Sequence, residues 1–373
     1  MLFAVQGIHM GLSKSRARSA TIADVAREAG VAPMTVSRAI NGHPHVKPET
    51  LMKVQGAIAK LSYSPNQAAR MLMGQRSNSI ALVIPELRNP FFAVVADGVQ
   101  TAARSNGSLV WMVASNNDVR IERREIEKLL SYNVDGILLI PSDPGHRYLK
   151  DLLKTDVPVV AIDLPIESGS ADSVVIENRQ SSQEAVEHLI GHGCKQILCV
   201  GGWPGLFTIR ERIAGYESAM KKAGLQSKVL TDPYDLSATR RAIEQLLRGK
   251  KARAAIFSLN QLTTEIVLTL LDDMRVSIPE QVGIIGFDDF SLASLFKPRL
   301  TVVRQPTEEL GACAARILFE RLGSKETLPR RKTTLPTELV IRESCGCVLP
   351  ALRGPRTEAP HNGLKRRNPK RPI

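Results

Sequence analysis

From residue 79 onward the chain alternates short apolar runs with amphipathic stretches, and it does so twice. The first series of runs is "IALVIP" (80–85), "LVWMVAS" (109–115), "GILLIPS" (136–142), "VPVVAID" (157–163) and "SVVIEN" (173–178). The second is "QILCVGG" (196–202), "KVLTD" (228–232), "AAIFSLN" (254–260) and "VGIIGFDD" (282–289). Runs that are apolar at successive positions bury both faces, and helical stretches such as 91–105 and 119–131 stand between them. Strands buried on both sides and separated by helices belong to parallel sheets. The span 79–345 is too much chain for one doubly wound sheet, so two α/β lobes with parallel sheets are expected. The chain should cross between lobes near 178 and 305, with "LTVVRQP" (300–306) as the link back to the first lobe.

A hydrophobic content of 43% supports a sizeable core. No apolar run reaches the roughly 18 residues of a membrane span. The first residues place apolar before basic character, the wrong order for a secretory signal, so a cytoplasmic protein is expected. Five cysteines (Cys194, Cys199, Cys313, Cys345, Cys347) are odd in number and scattered, which fits reduced thiols. Cys345-Gly346-Cys347 offers half a metal site with no second Cys pair near it. His188 and His192 read as a polar helix end, so no metal and no cofactor is expected.

The net charge of +13 is concentrated toward the ends. The tail 346–373 is rich in Lys, Arg, Pro and Gly without periodicity and is expected to be a disordered basic arm. The stretch 21–76 also leans basic. Positive charge at both ends points to a polyanion partner.

The stretch 21–62 reads as three short helices. Thr21 can cap the first, with Ile22, Val25, Ala26 and Ala29 inward, and Gly30 stops it. Pro33 opens the second, with Val36, Ala39 and Ile40 inward and a small or polar outward face broken only by Met34. The third buries Leu51, Val54, Ile58 and Leu61. Two short helices joined by a Gly-containing turn and closed by a third form a helix-turn-helix. Next, "SPNQAARMLMG" (64–74) has a helix start and a Gly stop but only about two turns, too short to be stable in isolation. Residues 63–78 are therefore expected to form a hinge helix and linker, after a disordered N-terminal extension (1–20) and the helix-turn-helix domain (21–62).

Ligands of doubly wound sheets bind outside the carboxyl ends of the strands. The loops there carry Asn89, Phe91 and Phe92, then Ser115 and Asn116, Ser142, Asp163, Arg212, Asn260 and Asp288. An Arg, carboxylates and amides around an aromatic wall suit a hydroxyl-rich ligand such as a sugar.

"TIADVAREAGVAPMTVSRAING" with "YSPNQAARMLMG" resembles the headpiece and hinge of the LacI/GalR family of bacterial transcription regulators, and the likeness runs through nearly the whole chain. The resemblance implies that Pro33, Met34 and Arg38 read bases, Arg38 suiting the bidentate contact to guanine. It implies phosphate contacts for Thr21, Thr35, Ser37, Asn41 and His45. It assigns Tyr63, Asn66, Gln67 and Ala69 to the hinge and Leu72 to a wedge in the minor groove. It places "NPFF", Arg212 and Asp288 in an effector cleft within a core like that of periplasmic sugar-binding proteins. Three positions depart from the pattern. Ala32 stands where the family often has Ser, Asn260-Gln261 where it commonly has Asn-Asp, and Glu177-Asn178 where it often has Asp-Asn.

The implied protein is a homodimeric repressor that binds a pseudo-palindromic DNA operator under control of a sugar or sugar-acid effector. Activation, dual control, corepression and a non-sugar effector remain open. An enzyme is disfavoured, because "GGWPG" (201–205) lacks the Gly-Lys-Ser/Thr ending of a phosphate loop and no nucleophile elbow or metal motif occurs. A transport binding protein would need a secretion signal and would lack the headpiece.

Overall fold

The computed structural model describes residues 20–40, 43–63, 76–143, 145, 147–166, 171–248 and 253–347. It divides into two compact units, Met1–Ser77 and Asn78–Ile373. The expected hinge helix, with Asn66, Gln67, Ala69 and Leu72, lies outside the described residues, as do Asn41 and the basic tail from 348 on, whereas Gly346 and Cys347, expected in that tail, are described.

The first unit is built from α1 (Ile22–Ala29), α2 (Pro33–Ile40) and α3 (Pro48–Leu61). Thr21 and Asp24 close a reciprocal capping box: the Thr21 N–H donates to Asp24 Oδ2 at 2.9 Å, and the Asp24 N–H to Thr21 Oγ1 at 3.4 Å. Gly30 then ends α1 in the left-handed region at φ 66°. Val25, Ala26, Val36, Ala39, Val54 and Ala57 form the buried centre, ringed by Ile22, Ile40, Leu51 and Tyr63 among others. Ala57 joins this centre from a position the apolar stripe of α3 leaves out.

In the second unit, β1 (Ser79–Ile84), α4 (Pro90–Ser105), β2 (Leu109–Ala114), α5 (Val119–Ser131), β3 (Gly136–Leu139), α6 (Arg147–Leu152), β4 (Val159–Ile162) and β5 (Asp172–Ile176) form the first lobe. The second contains α7 (Asn178–Gly191), β6 (Cys194–Val200), α8 (Phe207–Lys222), β7 (Lys228–Leu230), α9 (Leu236–Leu247), β8 (Arg253–Ser258), α10 (Gln261–Asp273), β9 (Val282–Phe287) and β10 (Thr301–Arg304). Then α11 (Thr307–Gly323) and β11 (Lys332–Leu335) rejoin the first lobe, and β12 (Glu338–Val340) the second.

The sheets run β11-β5-β4-β3-β1-β2 and β12-β10-β9-β8-β6-β7. Every pairing is parallel except β10 with β12. Within each sheet the first five strands follow the order 2-1-3-4-5, so each lobe has a topological switch point where a crevice opens. The sequence reading needs two corrections here. Residues 301–304 are a strand of the second sheet rather than a link, because Val302 and Val303 are apolar enough to be buried between β9 and β12. The return falls at Gln305-Pro306 instead. A third crossover, at 336–337, was not expected, since β11 and β12 are short and partly exposed edge strands with weak apolar patterning.

Candidate DNA-reading helix and effector cleft

Helix α2 presents Pro33, Met34 and Arg38 to solvent, Met34 at 65% exposure. Thr35 and Ser37 are half-buried on its flanks, and His45 is exposed beside His43. With Val36 and Ala39 fixed in the core, the outward face is held rigidly. Ala32 supplies only its carbonyl to the helix start, accepting from the N–H groups of Thr35 at 2.8 Å and Val36 at 3.2 Å. No hydroxyl stands there to cap. Thr21, besides capping α1, places its hydroxyl on Asp24 Oδ2 at 2.7 Å. Tyr63 packs on the headpiece core, and its N–H donates to the Ile58 carbonyl at 3.0 Å to close α3.

In the second unit, Arg212 on α8 is 4% exposed. Its Nε donates to Asn178 Oδ1 at 2.7 Å and its Nη1 to the Leu259 carbonyl at 2.6 Å, while the guanidinium lies 3.6 Å from the centre of the Phe287 ring. Burial lowers its pKa, and the negative charges of Asp288 and Asp163 oppose that shift. Asp163 follows β4 with φ 64°. Burial raises its carboxyl to about 6 against the pull of Arg212, and Asp288 adds to the rise. Asp288, at φ 78°, accepts from the Gln261 N–H at 3.0 Å on one oxygen and from Gln305 Nε2 on the other.

A cavity of about 290 Å³ opens beside this group, walled by Phe91, Gln261, Asp288, Phe290 and Gln305 among others. Two buried acceptors lack a hydrogen-bond partner: Oε1 of Gln305, on the cavity wall, and Oδ1 of Asp163, which interacts electrostatically with Arg212 and the cavity-lining Asp288. Buried polar atoms are nearly always satisfied, so such pairs mark a place where donors are meant to arrive.

The expected cleft residues therefore divide. Phe91, Gln261 and Asp288 line the cavity, and the charge of Asp288 acts on Asp163 and Arg212. Phe92 is 8% exposed and joins the core, leaving Phe91 as the aromatic wall from that loop. Asn89 and Asn260 are helix caps, accepting from the N–H groups of Phe91 at 3.0 Å and Thr263 at 2.8 Å. Ser142 donates through its N–H at 2.6 Å and its hydroxyl at 2.7 Å to the buried carboxylate of Glu122, which Tyr148 also contacts. Burial raises the Glu122 pKa in spite of these bonds. Ser142 thus serves a network inside the first lobe. Sequence reading missed Gln305, hidden in a stretch taken for a linker, and Asn178, whose Arg partner is 34 residues away.

A small helix-turn-helix unit followed by a two-lobed core with a polar, donor-seeking cleft defines a ligand-responsive DNA-binding regulator. Comparison with known proteins agrees. Residues 21–66 match the model for bacterial regulatory proteins of the lacI family, and 186–345 match a periplasmic binding protein-like domain. The chain is 33% identical over 330 residues to the HTH-type transcriptional repressor PurR of Photobacterium profundum, covering 87% of this chain and 98% of that protein. It is 32% identical over 336 residues to catabolite control protein A of Priestia megaterium, with the same coverage. Among solved structures, a complex of the transcriptional regulator CelR with cellobiose matches at 30% identity and TM-score 0.63, covering 87% of this chain and 99% of that one. The lac repressor dimer bound to operator and the anti-inducer ONPF shares the fold at TM-score 0.77 and 22% identity, covering 88% and 99%. The chain belongs to the LacI family of bacterial transcriptional regulators.

Proposed function

We propose that the protein is a homodimeric repressor whose two headpieces bind successive turns of a pseudo-palindromic operator, released or retained according to a small neutral polyol or sugar in the interlobe cleft. Helix α2 enters the major groove, with Pro33, Met34 and Arg38 at base edges and Arg38 on guanine. Thr21, Thr35, Ser37, Asn41 and His45 contact phosphates and set the register without reading sequence. Tyr63, Asn66, Gln67 and Ala69 belong to the hinge, and Leu72 wedges the minor groove at the operator centre.

The observation that carries the ligand class is a pair of orphaned acceptors: Gln305 Oε1, on the wall of a cavity of about 290 Å³, and Asp163 Oδ1, in the charge cluster of Arg212 and the cavity-lining Asp288. That volume lies at the small end of the roughly 300–1,000 Å³ typical of ligand sites. Hydroxyl donors would satisfy both acceptors while the ring stacks on Phe91. One buried Arg212 faces two carboxylates, Asp163 and Asp288, and Glu265 stands on the cavity wall. That balance of charge favours a neutral sugar over a sugar acid. CelR was solved with cellobiose, a neutral sugar, which supports the same class.

Coupling follows from where the partners sit. Asn178 and Gln305, which hold Arg212 and Asp288, stand at two of the crossovers between lobes. A ligand that prefers one lobe angle shifts the population toward it, and the first lobes then set hinge spacing.

The test is operator binding titrated against a panel of sugars, sugar acids and nucleobases. A neutral sugar is expected to change operator affinity, and that affinity is expected to fall steeply with salt as phosphate contacts are screened. DNA binding that is absent or insensitive to salt overturns the regulator reading. A response to sugar acids or nucleobases alone overturns the ligand class.

A further inference from the structure

His188, His192, Cys345 and Cys347 lie together at the end of the second lobe remote from the cleft. Their ligand atoms all fall within 4.8 Å of one another. His188 stands in the last turn of α7 and His192 caps it, their ring centres 4.7 Å apart. The two cysteines arrive from the segment that follows β12. Cys347 Sγ is 3.0 Å from His192 Nε2 and 3.5 Å from His188 Nε2, and Cys345 Sγ is 3.3 Å from His188 Nε2. Gly346 lets the chain double back between the cysteines: its φ is 91°, and a Cβ there would strike the Arg253 guanidinium. Cys194, at the start of β6, and Arg253, at the start of β8, place the cluster at the amino ends of the sheet strands. The cleft lies at the opposite, carboxyl ends.

We propose that these four residues form a structural zinc site. Two imidazoles and two thiols are a tetrahedral zinc donor set, and four protein ligands leave no open position for catalysis. Zinc–sulfur bonds of about 2.3 Å and zinc–nitrogen bonds of about 2.0–2.1 Å put tetrahedral N···S edges near 3.6 Å. The N···S separations of 3.0, 3.3 and 3.5 Å here need only a few tenths of an ångström of outward movement. Two thiolates neutralise the ion, so the neighbouring positive charge of Arg253, which donates to the His192 carbonyl at 3.2 Å, is not an obstacle. Thr301 supplies an outer contact, donating from Oγ1 to Cys345 Sγ at 3.2 Å. The ion would clamp the segment after β12 to α7 across a separation of more than 150 residues. The sequence hides this, because Cys-Gly-Cys is one residue short of the usual Cys-pair spacing and the His pair, though three residues apart as zinc histidines often are, lies more than 150 residues away.

The full-length protein, purified reduced and metal-free, should be titrated with Zn²⁺ against a chromophoric chelator and, separately, with Co²⁺. One zinc per chain is expected. The cobalt form should show visible bands of tetrahedral cobalt together with thiolate-to-cobalt charge transfer. Zinc should raise the melting temperature of the core and a chelator should reverse the rise. His192→Gln combined with Cys347→Ser should abolish both signatures. Because that variant could misfold, the wild-type titration is decisive by itself. Zinc retained no better than by Cys345→Ser/Cys347→Ser, a cobalt spectrum without charge transfer, or a Cys345–Cys347 disulfide that persists in reductant would each overturn the proposal.

Discussion

Asp163 and Arg212 illustrate at the scale of single residues how burial sets chemistry in this cleft. The Asp163 carboxyl is raised to about 6 chiefly by burial. A raised carboxyl pKa means the folded state binds a proton that the unfolded chain has already released between about pH 4 and pH 6. Stability therefore falls as pH rises through that window, and the penalty is complete above it. Asp163→Asn removes the buried charge, so the unliganded core is expected to gain about 1–3 kcal/mol at pH 7.5, a gain that vanishes toward pH 4. Denaturant unfolding at the two pH values measures it. A ligand donating hydroxyls to the carboxylate should in turn bind more tightly as pH rises from 5 to 7, which calorimetry with the identified effector would show. The residues of this site were unequally legible in the sequence. Charged groups in strand-end loops stood out, because burying them needs a reason. Asn89 and Asn260 were ambiguous, since one amide can cap a helix or meet a ligand and only the geometry decides. In "NPFF", the Pro after Asn89 was already a sign of a helix start.

The helices flanking the lobes are fitted by backbone contact, an element-scale feature that residue counting conceals. A Cβ on Gly98 of α4 would collide with the Glu308 carbonyl, and one on Gly311 of α11 with the Val95 carbonyl. Gly215 of α8 meets the Arg179 carbonyl of α7 in the same manner. Each lobe thus carries a helix pair crossing at a glycine. Gly311→Ala is expected to destabilise the core by about 1–3 kcal/mol, and adding Gly98→Ala should cost less than the sum because both contacts belong to one helix pair, which the first Cβ has already pushed apart. Both tryptophans, Trp111 and Trp203, belong to the second unit, so their fluorescence follows core unfolding without the headpiece. Strands and helices with strong periodicity were readable from the sequence. The 301–304 strand was not, because four residues that end in Arg304 and run into Gln305-Pro306 are too few to show a period, and the crossover at 336–337 was not, because the short edge strands beside it bury too little to impose a pattern.

For the whole molecule, the proposed dimer needs a surface, and β2 offers one. It ends the first sheet, and its Leu109, Trp111 and Met112 are 70%, 49% and 44% exposed. Tyr132, 63% exposed, stacks on Trp111 at 6.1 Å and 8°. The neighbouring β1 is buried along its length, so the apolar character of β2 is not needed for its own lobe. A sheet edge with an apolar face left in water is a template for association unless something covers it. A second copy of the first lobe would cover it and would hold two headpieces on one operator. Joining two reading units in this way multiplies affinity through effective concentration by about 10²–10⁴. Trp111→Glu places a charge at the centre of that face and should yield a monomer whose affinity for the full operator falls by that order. Affinity for an isolated half-site should hardly change, because α2 and its core are untouched. Sedimentation and operator titration on the same preparation measure the two quantities together. A variant that remains dimeric and binds the full operator as before would move the interface away from β2.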